Sequence, residues 1–205
     1  MTSRLSDLGP DQLRAALDQR PAQPVLGPQA AVAVVFRTGD SGTELLFIQR
    51  ASKPSDPWSG QMAFPGGRID PGDADTFAAA ERETREEVGL DLSGAARLGS
   101  LDDHDGGLGR NNLRLVSPHG YWLDSELPAL VNNYEVADSL WVPMVDLADR
   151  ERYIDYYWPK SDSSWPGIQL DIAEQVIWGM TLRFVANLFD RLDAPFIELG
   201  APRLR

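Results

Sequence analysis

The feature that most constrains this chain is the stretch 64–90, in which a Gly-Gly turn leads through an Asp-rich loop into a helix that carries Glu83, Glu86 and Glu87. On a helix that turns by about 100° per residue, Glu83, Glu86 and Glu87 fall within an arc of about 100°. Carboxylates crowded on one face repel each other, and a hard divalent cation with oxygen ligands relieves this repulsion. The stretch therefore predicts a metal site on a helix that ends at Gly89.

The same helix has a second face that is largely apolar. Its residues recur at helical spacing and are Phe77, Ala80, Thr84 and Val88. A stripe of this kind packs on a hydrophobic core. We therefore expect the helix to pack on the core through this stripe, which is separate from the acidic face.

The net charge of −12 argues against nonspecific binding to nucleic acid or to anionic membranes, because such binding needs a basic surface. The chain has no cysteine, which excludes disulfides and thiolate zinc sites. No stretch of the sequence approaches the roughly 18 apolar residues of a membrane-spanning helix, and the first residues contain no long apolar run. We therefore expect a cytoplasmic protein that binds neither nucleic acid nor a membrane.

The length of 205 residues fits one domain with an elaborated N-terminus. We expect residues 1–28 to form a short helix and a Pro-rich connector that contains Pro21, Pro24 and Pro28. Residues 29–205 are expected to form a single domain.

Apolar runs rich in β-branched residues predict strands at six places, namely 30–37, 44–50, 61–64, 96–101, 113–123 and 134–142. Helical spacing predicts helices at 10–19, 143–148 and 172–192, besides the acidic helix. An aromatic-rich segment after residue 152 predicts a hairpin around 161–164. Strands mixed with helices indicate an α+β fold in which helices pack on the faces of a sheet.

Two pieces of the opening stretch, taken together, resemble the signature of the Nudix hydrolases, namely 66–67 (GG) and 82–90 (RETREEVGL). The helical piece matches position by position, with Thr84 at an apolar position. The loop between the pieces departs from the signature, because Asp73 stands where the signature has Glu and the loop is one residue longer. The resemblance implies an α/β/α sandwich with a mixed sheet, and metal-dependent cleavage of a diphosphate bond.

Two further segments are similar to the coenzyme A diphosphatase branch of that family, namely 45–50 (LLFIQR) and 60–67 (GQMAFPGG). Ala51 and Trp58 depart from that branch, which has Ser and His at these places. The resemblance implies a small-molecule substrate that is a nucleoside diphosphate derivative. A coenzyme A-like compound, a dinucleotide or a nucleotide sugar would each fit.

The resemblance also implies a ligand set for Mg²⁺ or Mn²⁺. One or more such ions would be held by Glu83, Glu86 and Glu87. The backbone carbonyl of Gly67 would be a further ligand, since a glycine lets the backbone approach a metal closely. Arg82 lies just outside the acidic arc and would orient a glutamate through a salt bridge.

The proton acceptor and the substrate contacts are less closely specified. The general base stays open among Glu86, Glu87 and Glu135. Residues that would contact substrate are Arg50 and Arg68 for phosphate, and Tyr134 or Trp158 for a stacked nucleobase. The final helix is also long enough for a homodimer contact.

Two other functions are consistent with the same residues. One is a module on the same fold that binds a nucleotide ligand without chemistry, although a pure binding protein has little use for three mutually repelling acids. The other is a hydrolase of free nucleoside triphosphates that releases diphosphate and a nucleoside monophosphate.

Overall fold

The computed structural model describes most of the chain, namely residues 3–19, 29–53, 56, 58–105, 115–124, 129–159, 162–172, 174–197, 199 and 203–204. The Pro-rich connector predicted around Pro21, Pro24 and Pro28 lies outside these residues. So do the first two residues of the strand predicted at 113–123.

Within the described residues, seven strands form the larger sheet. They are β1 (Gln29–Gly39), β2 (Gly42–Arg50), β3 (Met62–Ala63), β4 (Gly66–Arg68), β5 (Ala96–Ser100), β6 (Leu115–Leu123) and β7 (Val136–Pro143). β1 lies in the middle, parallel to β6 and antiparallel to β2 and β4. β3 and β7 pair with β2, and β5 pairs with β6. The sheet is mixed, and each predicted strand corresponds to one of its strands within a few residues.

The helices of the described part are α1 (Ser3–Ser6), α2 (Pro10–Ala16), α3 (Thr76–Val88), α4 (Met144–Leu147) and α5 (Gly179–Arg191). A 3-10 turn follows α4 at Arg150–Arg152. α2 ends before the predicted position 19 because Asp18 pairs with the edge of the sheet, where its N–H donates to the Ser100 carbonyl at 2.9 Å. None of these helices is long and apolar enough to cross a membrane.

A smaller antiparallel sheet contains the predicted aromatic hairpin. Its described strands are β8 (Tyr153–Trp158), β9 (Ser163–Gln169), β10 (Val176–Trp178) and β11 (Arg203–Leu204), and β9 pairs with each of the other three. The hairpin of β8 and β9 is confirmed.

The prediction of a helix over 172–192 is wrong for its first third. Val176–Trp178 is a β-branched and aromatic run, and it pairs with Gly167–Gln169 of β9 instead of coiling. The chain turns at Gly179, whose φ of 62° lies in the left-handed region, and the helix continues from there to Arg191.

The larger sheet is covered on both faces, and β1 shows why. Val34 and Phe36 point into one core, where α5 packs, whereas Ala33 and Val35 point into a second core, where α3 packs. All four side chains are at most 1% exposed. A strand buried on both faces has a continuous apolar sequence, as β1 does. The α+β class and the layered arrangement of helices on both faces of a mixed sheet are thus confirmed.

Candidate active site

The ends of α3 hold the acidic helix in place. The helix begins after Asp75, whose Oδ1 accepts the Ala78 N–H at 2.8 Å. It ends at Gly89, which has a φ of 71° and donates its N–H to the Arg85 carbonyl at 3.0 Å. The predicted apolar stripe is buried in the core shared with β1. The glutamates consequently lie on another side of the helix.

β4 brings its backbone against the acidic face. The N–H of Gly66 donates to Glu87 Oε2 at 2.8 Å. A Cβ atom at Gly67 would stand 2.6 Å from the carboxylate carbon of Glu83, too close for both to remain in place. Because Gly67 has no side chain, the Glu83 carboxylate lies directly against the strand. The sequence predicted Gly67 as a metal ligand through its backbone carbonyl, and that role stays a prediction; what the structure shows is the close approach of the Glu83 carboxylate.

Glu87 is the most deeply buried acid of the helix, with only 3% of its surface exposed. Burial raises the pKa of the Glu87 carboxyl to about 7, and the Gly66 N–H partly offsets this shift. The charge of Glu135 also raises the pKa of Glu87, and the charge of Arg50 lowers it. The fold therefore brings Arg50 and Glu135 to the acidic helix from distant parts of the chain.

Arg82 is the centre of an ionic network beside the glutamates. Its Nε and Nη2 donate to the two oxygens of Asp73 at 3.0 and 2.9 Å, and Nη2 also donates to the Arg68 carbonyl at 2.9 Å. Its Nη1 donates to Glu83 at 3.0 Å and to Glu86 at 3.3 Å. The predicted salt bridge from Arg82 to a glutamate is present. The paired hydrogen bonds with Arg82 also lower the pKa of Asp73.

The carboxylate oxygens suit a hard divalent cation. The Glu83 carboxylate occupies the space that a side chain at Gly67 would fill, and so lies close to the backbone of β4. Among the described residues, however, no three acidic or histidine side chains already converge as a metal site. The reason is that Glu83 and Glu86 turn toward Arg82, while Glu87 turns toward Gly66. A carboxylate has about four lone-pair positions, so these hydrogen bonds leave capacity for a cation.

The opposite wall of the site is built from the end of β2 and the segment before β7. The segment is tied to α3 because the Asn133 N–H donates to the Glu87 carbonyl at 2.8 Å. Glu135 accepts from Lys53 Nζ at 2.7 Å, which lowers the pKa of the Glu135 carboxyl. Arg50 Nη2 donates to Asp56 at 2.8 Å. Lys53 and Asp56 were not predicted. Lys53 and Glu135 are 82 positions apart, so their pairing leaves no local pattern in the sequence.

The remaining predicted contacts lie at the rim. Tyr134 is 80% exposed, and the ammonium group of Lys53 lies 4.7 Å from the centre of its ring. The Arg68 side chain is exposed, and its carbonyl belongs to the Arg82 network. The structure thus brings Gly67, the glutamates, Arg82, Arg50 and Glu135 together, and leaves Tyr134 and Arg68 at the edge.

Comparison with known proteins identifies the family. Residues 27–159 match the sequence model of the NUDIX domain. This chain belongs to the Nudix hydrolase family. A Nudix hydrolase of Cronobacter sakazakii, NudL, is 34% identical over 193 residues, which cover 91% of this chain and 90% of NudL.

A protein of Schizosaccharomyces pombe is 36% identical over 107 residues, or 50% of this chain, and the match spans about a third (32%) of that longer protein. The crystal structure of a MutT/nudix family protein from Enterococcus faecalis superposes with a TM-score of 0.53. That match covers 85% of this chain and 65% of the other at 17% identity, so it supports the Nudix fold alone.

Proposed function

We propose that this protein is a metal-dependent hydrolase that cleaves the diphosphate bond of a nucleoside diphosphate derivative. The observation that carries the proposal is the position of Glu83 and Glu87 against the backbone of β4, where a side chain at Gly67 would displace a carboxylate. Family membership supports the same reading. Coenzyme A-like compounds, dinucleotides and nucleotide sugars are the proposed substrates.

Mg²⁺ or Mn²⁺ held by Glu83, Glu86 and Glu87 would neutralise phosphate charge and lower the pKa of a water molecule. Residues of this chain would hold the three glutamates in position to bind the metal. Arg82 donates hydrogen bonds to Glu83 and Glu86 and so directs their carboxylates toward one side of the helix. The Gly66 N–H fixes the third.

Arg50 is the residue best placed to contact a phosphate. The next residue, Ala51, donates its N–H to the Glu135 carbonyl at 2.7 Å, and the segment that contains Glu135 is hydrogen-bonded to Glu87, so Arg50 lies near the acidic cluster. The Nε atom of Arg50 is buried and has no hydrogen-bond partner within the described residues. The Arg50 side chain is 33% exposed, so the accessible part of its guanidinium can donate charge-assisted hydrogen bonds to a phosphate oxygen.

The proposal is tested by incubating the protein with coenzyme A, dinucleotides, nucleotide sugars and nucleoside triphosphates, with Mg²⁺ or Mn²⁺, and identifying products by mass spectrometry. We expect two monophosphate products from a diphosphate-bridged compound. Diphosphate released from a triphosphate would instead support the nucleotide-sanitising alternative. Metal-dependent binding of these compounds without any product would contradict the proposed hydrolase and support the binding-module alternative.

The general base can be distinguished from the metal ligands by measuring both the Mn²⁺ affinity and the kcat of each variant. Glu135 lies outside the Arg82 network and is paired with Lys53, so Glu135→Gln should keep the Mn²⁺ affinity of the unaltered protein. Glu86→Gln should lose both Mn²⁺ affinity and turnover. A large drop in kcat with normal Mn²⁺ binding in Glu135→Gln would assign the base to Glu135, whereas a loss of Mn²⁺ binding there would make Glu135 a ligand.

A further inference from the structure

A cleft lies where the smaller sheet meets the polar loop that follows β2. We propose that this cleft binds the purine base of the substrate, an inference that rests on the proposed function. Its volume is about 230 Å³, and its walls include Gly60, Gln61, Tyr156, Trp158, Glu174 and Trp178.

Three aromatic rings form one wall of the cleft. The rings of Tyr156 and Trp158 lie 5.0 and 5.1 Å from the ring of Trp178, measured between centroids. Trp178 is only 8% exposed, so it is a fixed support for the two outer rings. Aromatic faces of this kind stack on nucleobases.

The central strand of the smaller sheet allows these rings to meet. Tyr156 belongs to β8 and Trp178 to β10, and β9 runs between them. At the crossing point β9 has Gly167, where a Cβ atom would stand 2.9 Å from Val176 Cγ1 and 3.3 Å from Tyr156 Cβ. Side chains from the two outer strands therefore approach each other above a strand position that has no side chain.

One wall of the cleft is joined to the candidate active site through backbone hydrogen bonds. Gly60 donates its N–H to the Arg50 carbonyl at 3.1 Å, and the Arg50 N–H donates to the Gln61 carbonyl at 3.0 Å. One wall of the cleft is thus hydrogen-bonded to the backbone of the residue that we propose to contact phosphate. A nucleotide with its phosphates at Arg50 would have its base on the side of this wall.

The size and charge of the cleft fit a base better than a phosphate. A complete drug-sized ligand occupies about 300–1,000 Å³, so a cleft of about 230 Å³ accommodates one planar part of a larger molecule. No described residue that lines it is positively charged, and Glu174 contributes a negative charge. That carboxylate repels phosphate and can accept a hydrogen bond from an exocyclic amino group. Adenine combines such a group with a large stacking surface.

The test measures binding without turnover, so that it does not depend on the proposed hydrolysis. Adenosine 5′-monophosphate is titrated into metal-free protein by calorimetry, with ribose 5-phosphate as the ligand that lacks a base. Trp158→Leu should weaken binding of the nucleotide about tenfold or more, in line with the loss of a base-stacking side chain. Binding of ribose 5-phosphate should not change.

Three variants make the result specific. Trp158→Phe keeps an aromatic face and should retain most of the affinity. Tyr157→Leu alters the neighbouring residue on the opposite face of β8 and should bind like the unaltered protein. Glu174→Gln should weaken adenosine 5′-monophosphate more than uridine 5′-monophosphate, because uracil has no exocyclic amino group.

Equal affinity of Trp158→Leu and the unaltered protein would overturn the cleft as the base site, whatever the substrate screen yields. With a turned-over adenine-containing substrate, Trp158→Leu should raise KM while kcat stays within about twofold. If nucleotide binding depends on Trp158 but the protein hydrolyses none of the compounds, the cleft would be supported as the base-binding site. The proposed hydrolase activity would then be contradicted.

Discussion

At the scale of single residues, Asp73 is the least expected participant in the site. The sequence showed it only as a shorter acid at a position where the Nudix signature has Glu. In the structure its two oxygens hold the guanidinium of Arg82, which in turn holds Glu83 and Glu86. We infer that Asp73 positions the glutamates through Arg82 and does not itself bind metal.

Asp73→Asn should lower kcat about 10- to 100-fold, the usual effect of removing a partner that orients metal ligands. KM for the nucleotide should change little, since Asp73 lies behind Arg82. Steady-state kinetics with the nucleotide as the varied component, at saturating Mn²⁺, would measure both. Asp70→Asn is the matched control, because Asp70 lies 4.0 Å from Arg82 and is 67% exposed. Equal effects of the two substitutions would contradict the positioning role.

Burial of Glu87 makes the stability of the metal-free protein depend on pH. The pKa of Glu87 is about 7 in the folded protein and 4.5 in its ordinary state. Between these values the folded protein retains a proton on Glu87 that the unfolded chain releases, so the contribution of Glu87 to the free energy of unfolding falls as pH rises from 4.5 to 7 and is level above. The fall should be at most about 3 kcal/mol.

Chemical denaturation of the unaltered protein and of Glu87→Gln, both with a chelator, isolates this contribution. The glutamine cannot ionise, so the difference in unfolding free energy between the two proteins should shift in favour of Glu87→Gln as pH rises through the window. A difference that stays constant from pH 4.5 to 8 would show that Glu87 is not titrating as described.

At the scale of elements, α3 illustrates what sequence can predict. Its two faces follow from helical spacing alone, and its end at Gly89 follows from glycine's access to positive φ. Its hydrogen bonds to other segments could not be predicted, because they depend on where β4 and residues 131–133 come to lie. The start of α5 was mispredicted for a related reason, since pairing with β9 outweighed the helical spacing of its first residues.

The N-cap of α3 gives a test of how firmly the element is held. Asp75→Ala removes the acceptor for the Ala78 N–H and should lower the free energy of unfolding by about 1 kcal/mol, within the range of about 0.5–2 for such caps. Asp75→Ser keeps a capping oxygen and should recover most of the loss. Thermal or denaturant unfolding measures both, and equal stability of alanine and serine variants would rule out the cap as a source of stability.

At the scale of the whole molecule, the chain consists of a mixed sheet with helices on both faces and a smaller antiparallel sheet beside it. The continuous apolar sequence of β1 predicted a buried strand, and the two cores on its faces account for that sequence. The smaller sheet was predicted only as a hairpin, because β10 has three residues and carries too weak a pattern to separate from the helix after it.

The central claim about this molecule is that α3 holds a divalent cation. Titration of Mn²⁺, with the free ion measured by electron paramagnetic resonance, tests it without knowledge of the substrate. The unaltered protein should bind Mn²⁺, and Glu83→Gln with Glu86→Gln should weaken binding at least about tenfold. Glu81→Gln, on the same helix but paired with Arg97 at 2.7 Å, should bind as the unaltered protein does. Equal Mn²⁺ affinity in all three proteins would contradict the claim.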